Sequence, residues 1–185
     1  MRIGVLALQG AFLEHEQMLG RLGAECVELR QRSDLRGIDA LVLPGGESTV
    51  QGKLLRELDM LLPLRSSIQD GMPVLATCAG LILLAQEISG GEAPHLGTLP
   101  VRVRRNAYGR QLGSFETVAP LKGIGDFRMT FIRAPYVEAV EPGTEVLAEL
   151  DGRIVAVRAG HQLALAFHPE MGTDDRVHRA FLDMI

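Results

Sequence analysis

The stretch Pro73-Val74-Leu75-Ala76-Thr77-Cys78-Ala79-Gly80 joins an apolar, strand-like run to a helical one. A cysteine at such a junction indicates a nucleophile elbow, a tight turn that needs small residues two positions before and two positions after the nucleophile. Ala76 and Gly80 supply them. The N–H groups that open the following helix would point at the Cys78 sulfur and favour its thiolate. The alternative is a buried structural cysteine, which is how we interpret Cys26 in its plain strand-like run.

Outward from this junction, the first half of the chain alternates predicted strands with predicted helices. The strands are continuously apolar, which is typical of a parallel sheet covered on both faces. Strands are predicted over residues 3–8, 26–29, 40–43 and 73–77, and helices over residues 11–22, 49–58 and 64–69. A further helix is predicted to follow Cys78, where the strongly apolar run 81–88 begins.

The second half of the chain is richer in strands. They are predicted over residues 101–105, 128–132, 145–150, 153–157 and 163–167. Asp151-Gly152 between two of these runs is a hairpin signal, and Asp174 or Asp175 is the predicted N-cap of a last helix. We therefore predict an α/β fold in three layers, with a mostly parallel mixed sheet flanked by helices, in a single domain over residues 1–185.

Composition narrows the class of protein. The chain has 185 residues, 46% of them apolar, and a net charge of -4, which argues against a basic nucleic-acid surface. Aromatic residues make up 4% and Trp is absent, so base-stacking platforms are not expected. Two cysteines are too few for a disulfide framework. With no membrane-spanning run and no signal pattern, we expect a cytoplasmic protein without membrane or nucleic-acid partners.

A thiol nucleophile needs a base, and the base needs a group that orients it. Among the five histidines, His168 stands out because it follows a predicted strand in His168-Pro169-Glu170. Glu170 could accept the Nδ1 proton of His168 and leave Nε2 free to take the proton of Cys78. His15 and His178 lie on predicted helices among charged residues, and we assign them no role.

The oxyanion formed by such a nucleophile needs backbone donors. Pro44-Gly45-Gly46-Glu47-Ser48 follows the third predicted strand, at the carboxyl edge of the sheet where active sites of open α/β folds lie. Gly45 and Gly46, with the N–H of Ala79, are the predicted oxyanion hole. The alternative is an ordinary glycine-rich turn with Ser48 as N-cap. The segment lacks the Gly-Lys-Ser/Thr ending of a phosphate-binding loop.

Taken in order, Pro-Gly-Gly-Glu-Ser, Thr-Cys-Ala-Gly and His-Pro-Glu resemble the class I (triad) glutamine amidotransferase family, whose fold is flavodoxin-like. Further segments resemble the branch formed by the glutaminase subunits of pyridoxal 5′-phosphate synthase. These segments are Leu8-Gln9-Gly10, Arg105-Asn106-Ala107-Tyr108-Gly109-Arg110-Gln111, Ser114-Phe115-Glu116 and Phe131-Ile132-Arg133-Ala134-Pro135.

The resemblance implies that L-glutamine is hydrolysed to L-glutamate and ammonia through a glutamyl thioester. Cys78 would be the nucleophile, His168 the base and Glu170 the group that orients it. No cofactor and no metal are expected. The positions that match glutamine-binding residues of the family are Gly46, Glu47, Ser48, Arg105, Ile132 and Arg133.

The resemblance also implies a partner, the synthase (lyase) subunit that receives the ammonia through an internal tunnel. Gln9 and Gly10 match the segment that responds to docking of this partner, so weak activity is expected from the isolated chain. Ala76 departs from the glycine usual at its position, and would be strained if its φ were positive. The alternatives are a glutaminase of another biosynthetic pathway, or a cysteine peptidase or chaperone-like relative on the same fold.

Overall fold

The computed structural model describes residues 1–105 and 113–185. The strands are β1 (Arg2–Leu6), β2 (Glu25–Leu29), β3 (Ala40–Leu43), β4 (Val74–Thr77), β5 (Ala85–Ile88), β6 (Leu99–Arg104), β7 (Ser114–Leu121), β8 (Gly125–Ile132), β9 (Tyr136–Val140), β10 (Glu145–Leu150), β11 (Arg153–Ala159) and β12 (Gln162–Leu165). The helices are α1 (Phe12–Arg21), α2 (Ser48–Glu57), α3 (Leu61–Gln69), α4 (Ala79–Leu84) and α5 (Arg176–Leu182).

One large mixed sheet organises the described residues. Its strand order is β2-β1-β3-β4-β12-β11-β9-β6-β5, with β10 added on β11, and β7 and β8 form a separate hairpin. Strands from β2 to β12 are parallel neighbours, whereas β12, β11, β9 and β6 pair antiparallel. The predicted α/β fold with a mixed sheet is therefore confirmed, and the antiparallel additions lie on one side of β12.

Burial follows the predicted pattern in the parallel half. Every residue of β3 and β4 is buried, as expected for strands covered on both faces. All six residues of α4 are buried as well, which makes it a central helix of the core.

The helix predicted to follow Cys78 covers only the first half of the apolar run at residues 81–88. Helix α4 ends at Leu84, and the chain continues as β5, which pairs parallel with β6. A continuous apolar run shows neither the 3.6-residue period of a helix nor the two-residue alternation of a strand. Pairing with a distant strand therefore decides its conformation. The strands β7 and β9 were also absent from the prediction, and β8 begins three residues earlier than predicted, at Gly125.

Helix starts differ in detail from the predicted caps. Asp175 is the N-cap of α5, but its carboxylate makes no capping bond and instead accepts hydrogen bonds from Arg179 at 2.8 and 2.9 Å. Glu47 is the N-cap of α2, and Ser48 is the first helical residue. The Asp151-Gly152 hairpin is confirmed, since both residues have positive φ between β10 and β11.

The position of β12 matters most for the site. It lies parallel to β4, with Leu165 opposite Thr77, so both strands end at the same edge of the sheet. The backbone N–H of Cys78 donates to the Leu165 carbonyl at 2.8 Å. The segments that follow these strands, which begin at Cys78 and Ala166, are thereby brought side by side.

Candidate active site

Cys78 occupies a strained turn between β4 and α4. Its φ of 49° and ψ of −101° place a non-glycine residue in a sparsely populated region, as in a nucleophile elbow. The strain considered for Ala76 is not there, because Ala76 lies within β4 in extended conformation and Cys78 carries the positive φ. Ala79 opens α4, so its N–H has no partner within the helix and is free to face an oxyanion.

His168 lies in the segment that follows β12 and lines the same cavity as this turn. Its backbone N–H donates to the Thr130 carbonyl at 2.8 Å, and its Nδ1 lies 2.7 Å from Oε1 of Glu170. Burial alone would lower the pKa of His168, but hydrogen bonds to Cys78 and Glu170, and their charges, raise it to about 10. The ring is therefore poised as an imidazolium between a sulfur and a carboxylate.

Glu170 lies behind His168, in the short 3₁₀ turn Pro169–Met171, and is 5% exposed. Burial would raise the pKa of its carboxyl, but His15 and His168 beside it hold that pKa below the usual range. The carboxylate is thus ionised and aimed at Nδ1, which leaves Nε2 of His168 as the nitrogen available to Cys78.

A cavity of about 300 Å³ opens in front of these residues, a size suited to a small molecule. All the predicted site residues except Glu170 line it. The predicted residues on its wall are Gln9, Gly10, Gly45, Gly46, Glu47, Ser48, Cys78, Ala79, Arg105, Ile132, Arg133 and His168.

Charged residues at this cavity pair with carboxylates. Nη2 of Arg133 lies 3.7 Å from Oε1 of Glu47, and the Arg133 backbone has a φ of 44°. Nη1 of Arg105 donates to both carboxylate oxygens of Glu92, at 2.7 and 3.0 Å, and to Thr49. The sequence analysis did not identify Glu92, because its loop, residues 89–97, has no hydrophobic periodicity that would place its side chains.

The predicted oxyanion loop is tied to the segment that begins at Gln9. The N–H of Glu47 donates to Oε1 of Gln9 at 2.7 Å, and Nε2 of Gln51 donates to the Gln9 carbonyl at 2.8 Å. The N–H of Ala11 donates to the Gly45 carbonyl at 3.0 Å. A Cβ on Gly45 would lie 2.3 Å from the His168 ring, so the loop also packs directly on His168.

Two histidines that the sequence left without a role are buried beside Glu170. His15 and His178 are both fully buried. The signal was present in the helical spacing, since His15 shares the buried face of α1 with Met18 and Leu19, and His178 shares that of α5 with Phe181.

Parts of the prediction lie outside the described residues. The segment Asn106–Gln111 is among them. Within residues 1–105 and 113–185, no cluster of His, Cys, Asp and Glu is arranged to hold a metal ion. In the same two ranges, no helix has the length and apolar character needed to cross a bilayer.

An open α/β sheet with a cysteine at an elbow and a buried His–Glu pair beside it is the arrangement that the sequence predicted for the class of glutamine amidotransferases. The SNO glutamine amidotransferase family matches residues 5–185. The chain belongs to this family.

Individual relatives are similar to this chain over almost its full length. The chain is 60% identical over 186 residues to "Pyridoxal 5'-phosphate synthase subunit PdxT" of Desulfitobacterium hafniense (strain Y51), covering 100% of this chain and 94% of the relative. It is 59% identical to the protein of the same name from Methanocorpusculum labreanum, covering 100% and 98%. A solved structure described as a glutamine amidotransferase superposes with a TM-score of 0.94 at 48% identity, covering 98% and 97%.

Proposed function

We propose that this chain is the glutaminase subunit of a pyridoxal 5′-phosphate synthase. It hydrolyses L-glutamine to L-glutamate and ammonia, and delivers the ammonia to the synthase (lyase) subunit. The observation that carries the proposal is that Cys78 and His168 line the same cavity, with Oε1 of Glu170 2.7 Å from Nδ1 of His168 behind that wall. The names of the full-length relatives support the pathway.

The first half of the reaction forms a thioester. The Cys78 thiolate attacks the side-chain amide carbon of glutamine, and the amide oxygen becomes an oxyanion. Gly45, Gly46 and Ala79 are the proposed backbone donors to it. The C–N bond then breaks, and His168 gives its proton to the leaving nitrogen, which departs as ammonia.

The second half resolves the thioester. Neutral His168 takes a proton from a water molecule, whose oxygen attacks the thioester carbon. The C–S bond breaks, glutamate is released, and the thiolate–imidazolium pair returns. Through both halves, Glu170 holds the ring by Nδ1 and stabilises the imidazolium.

The charges at the cavity suit a free amino acid, which carries an α-carboxylate and an α-ammonium. The loosely spaced pair of Arg133 and Glu47 can exchange its mutual contact for these two groups, because both side chains are more than half exposed. Arg105 stands ready as a second cation, held by Glu92. Ser48 and Ile132 complete the proposed glutamine-binding wall.

Docking of the synthase subunit is the proposed control of this site. Gln9 holds the N–H of Glu47, so a shift of the segment at Gln9 and Gly10 would change the orientation of the oxyanion loop. The isolated chain is therefore expected to turn over slowly. The proposed location is the cytoplasm, where both subunits would meet.

The test measures glutamate release from glutamine by the chain mixed with its synthase subunit. Wild type should release glutamate, and Cys78→Ala should abolish release. Cys26→Ala is the matched control, because Cys26 lies in β2, where burial and then Glu16 raise the pKa of its thiol to about 11. Absence of release from the wild-type mixture overturns the proposal, and equal release by Cys78→Ala overturns the role of Cys78.

A further inference from the structure

A chain of buried polar contacts continues behind Glu170. Nε2 of His15 lies 3.4 Å from Oε2 of Glu170 and 3.2 Å from the Thr77 hydroxyl. On its other side, Nδ1 of His15 lies 2.9 Å from Nε2 of His178. His15, Thr77 and His178 are fully buried, so water does not compete for these contacts. Helices α1 and α5 are thereby linked to the carboxylate that orients His168.

The direction of the protons in this chain follows from charge. Both histidines are neutral, because burial lowers the pKa of His15, and burial followed by the neighbouring His15 lowers the pKa of His178 to about 3. A neutral His15 presents either a proton or a lone pair to the carboxylate, and a lone pair facing Oε2 of Glu170 would be repelled. The proton therefore sits on Nε2 of His15, where the Thr77 hydroxyl oxygen at 3.2 Å is a second acceptor, and Nδ1 of His15 accepts the proton of His178 Nε2.

If the hydrogen bond between the two histidines ran the other way, from Nδ1 of His15 to Nε2 of His178, the fold would be destabilised for a second reason. That direction would place a proton on Nδ1 of His178, where the described residues offer that atom no hydrogen-bond partner. A buried N–H donor without an acceptor is among the more costly defects of a core. When His178 instead donates from Nε2, its Nδ1 carries only a lone pair, and no buried N–H group is left without an acceptor.

We propose that His15 is a positioning residue of the active site, which donates from Nε2 to the second carboxylate oxygen of Glu170, and that His178 fixes the tautomer of His15 needed for this. The inference deepens the proposed function, on which its catalytic meaning rests. Oε2 of Glu170 is buried and makes no hydrogen bond of ordinary geometry among the described residues. The 3.4 Å contact is expected to shorten when substrate binds, as catalytic hydrogen bonds often do.

Other charges around the chain of contacts do not replace this donor. His168 approaches Glu170 through Oε1, not Oε2. Glu14 acts on His15, and Asp175 and Arg21 act on His178, through charge at longer range. Loss of the His15 donor should therefore make the Glu170 carboxylate harder to ionise and weaken the imidazolium of His168.

Two substitutions of His15 separate a positioning role from simple packing. In His15→Gln the side-chain amide nitrogen can occupy the position of Nε2 and still donate to Glu170. In His15→Asn it can occupy the position of Nδ1, which faces His178. Both variants are polar and smaller than or similar to histidine, so thermal unfolding serves as the control for folding.

The readout is the rate at which iodoacetamide alkylates Cys78 across pH, in a Cys26→Ser background. In His15→Asn, the pH of half-maximal rate should rise by about one unit, the equivalent of one hydrogen bond to a charged group. In His15→Gln, the pH of half-maximal rate should stay closer to the wild-type value. Equal profiles for Asn and wild type, or equal shifts for Asn and Gln, overturn the proposal.

This experiment is independent of the proposed function, because alkylation needs neither glutamine nor the synthase subunit. A protein that shows the alkylation shift but releases no glutamate keeps the positioning role and loses the glutaminase assignment. With the synthase subunit present, His15→Asn should lower kcat by about tenfold with little change in KM, since His15 lies behind Glu170 and does not line the cavity.

Discussion

Glu170 keeps a negative charge where water is excluded, and the residues around it make this possible. His168 approaches one carboxylate oxygen at 2.7 Å and His15 the other at 3.4 Å. A buried carboxylate is stable only when it is paired in this way. The carboxylate lies outside the wall of the cavity, so its proposed role in the reaction is exerted through His168.

Removal of the base is expected to cost more than removal of the group that orients it. His168→Ala should lower kcat by about 10² to 10⁴, the usual contribution of general acid–base catalysis, and Glu170→Ala by less. The measurement is glutamate release by each variant with the synthase subunit present, with thermal unfolding as the control. A larger loss for Glu170→Ala than for His168→Ala would contradict the assigned roles.

At this scale, the sequence marks as candidates those residues whose neighbours in the chain carry a recognisable pattern. Cys78 is recognisable from Ala76 and Gly80, and His168 from its spacing to Glu170. His15 was not recognised, because its contact with Glu170 joins two positions that are far apart in the chain and meet only after folding. Its place on the buried face of α1 was the usable signal.

Among the elements, α4 and β3 together determine the shape of the proposed oxyanion site. A Cβ on Gly80 would lie 2.1 Å from the carbonyl oxygen of Leu43, the last residue of β3. That approach is possible only for glycine, and it brings the start of α4 against the strand that leads into the loop at Gly45. Ala79 and the loop are therefore positioned by one contact.

Gly80→Ala should consequently affect both stability and turnover. The added methyl meets backbone, which cannot rotate away, so the free energy of unfolding should fall by about 3 kcal/mol or more. Gly20→Ala is the matched control, because a Cβ on this exposed residue of α1 meets nothing within 4 Å, and it should gain up to about 1 kcal/mol. Urea unfolding checks both values, and a neutral Gly80→Ala would contradict the packing argument.

Elements with a clear local signal were predictable, and those that depend on distant pairing were not. β3 and β10 were predicted with their observed bounds, since each is a run of strand length that ends at turn residues. β5 is a strand because β6 lies beside it, and its sequence continues the apolar run of α4 without a break. The order of strands depends on such contacts throughout.

For the whole molecule, the decisive feature is that the last strand, β12, lies in the middle of the sheet beside β4. The His–Glu pair, near the end of the chain, thereby reaches the elbow in its first half. The buried apolar cluster draws on residues from Ile3 to Phe181. A single domain over residues 1–185 stays a prediction, which one cooperative unfolding transition would support.

The buried histidines make the stability of the whole molecule depend on pH. His178 has a pKa of about 3 in the folded chain and the pKa of His15 is also lowered, whereas both titrate near 6.5 when unfolded. Below about pH 6.5 the unfolded chain therefore binds more protons, and stability falls as the pH falls. His168 has the opposite sign, since its raised pKa stabilises the fold below 6.5 and this contribution is lost as pH rises towards about 10.

The melting temperature should accordingly be highest near neutral pH and fall on both sides. Between about pH 5 and 6.5 the carboxylates still keep their charge, so the loss in that window reports the histidines, at up to about 1.4 kcal/mol per pH unit for each group that titrates fully. His178→Leu removes one such group and should flatten the acid slope, even where it lowers stability at pH 7. Thermal unfolding of both proteins across this window is the measurement. An equal slope in the variant would mean that His178 takes up protons in the folded chain as it does in the unfolded chain, which would contradict the neutral state assigned to it.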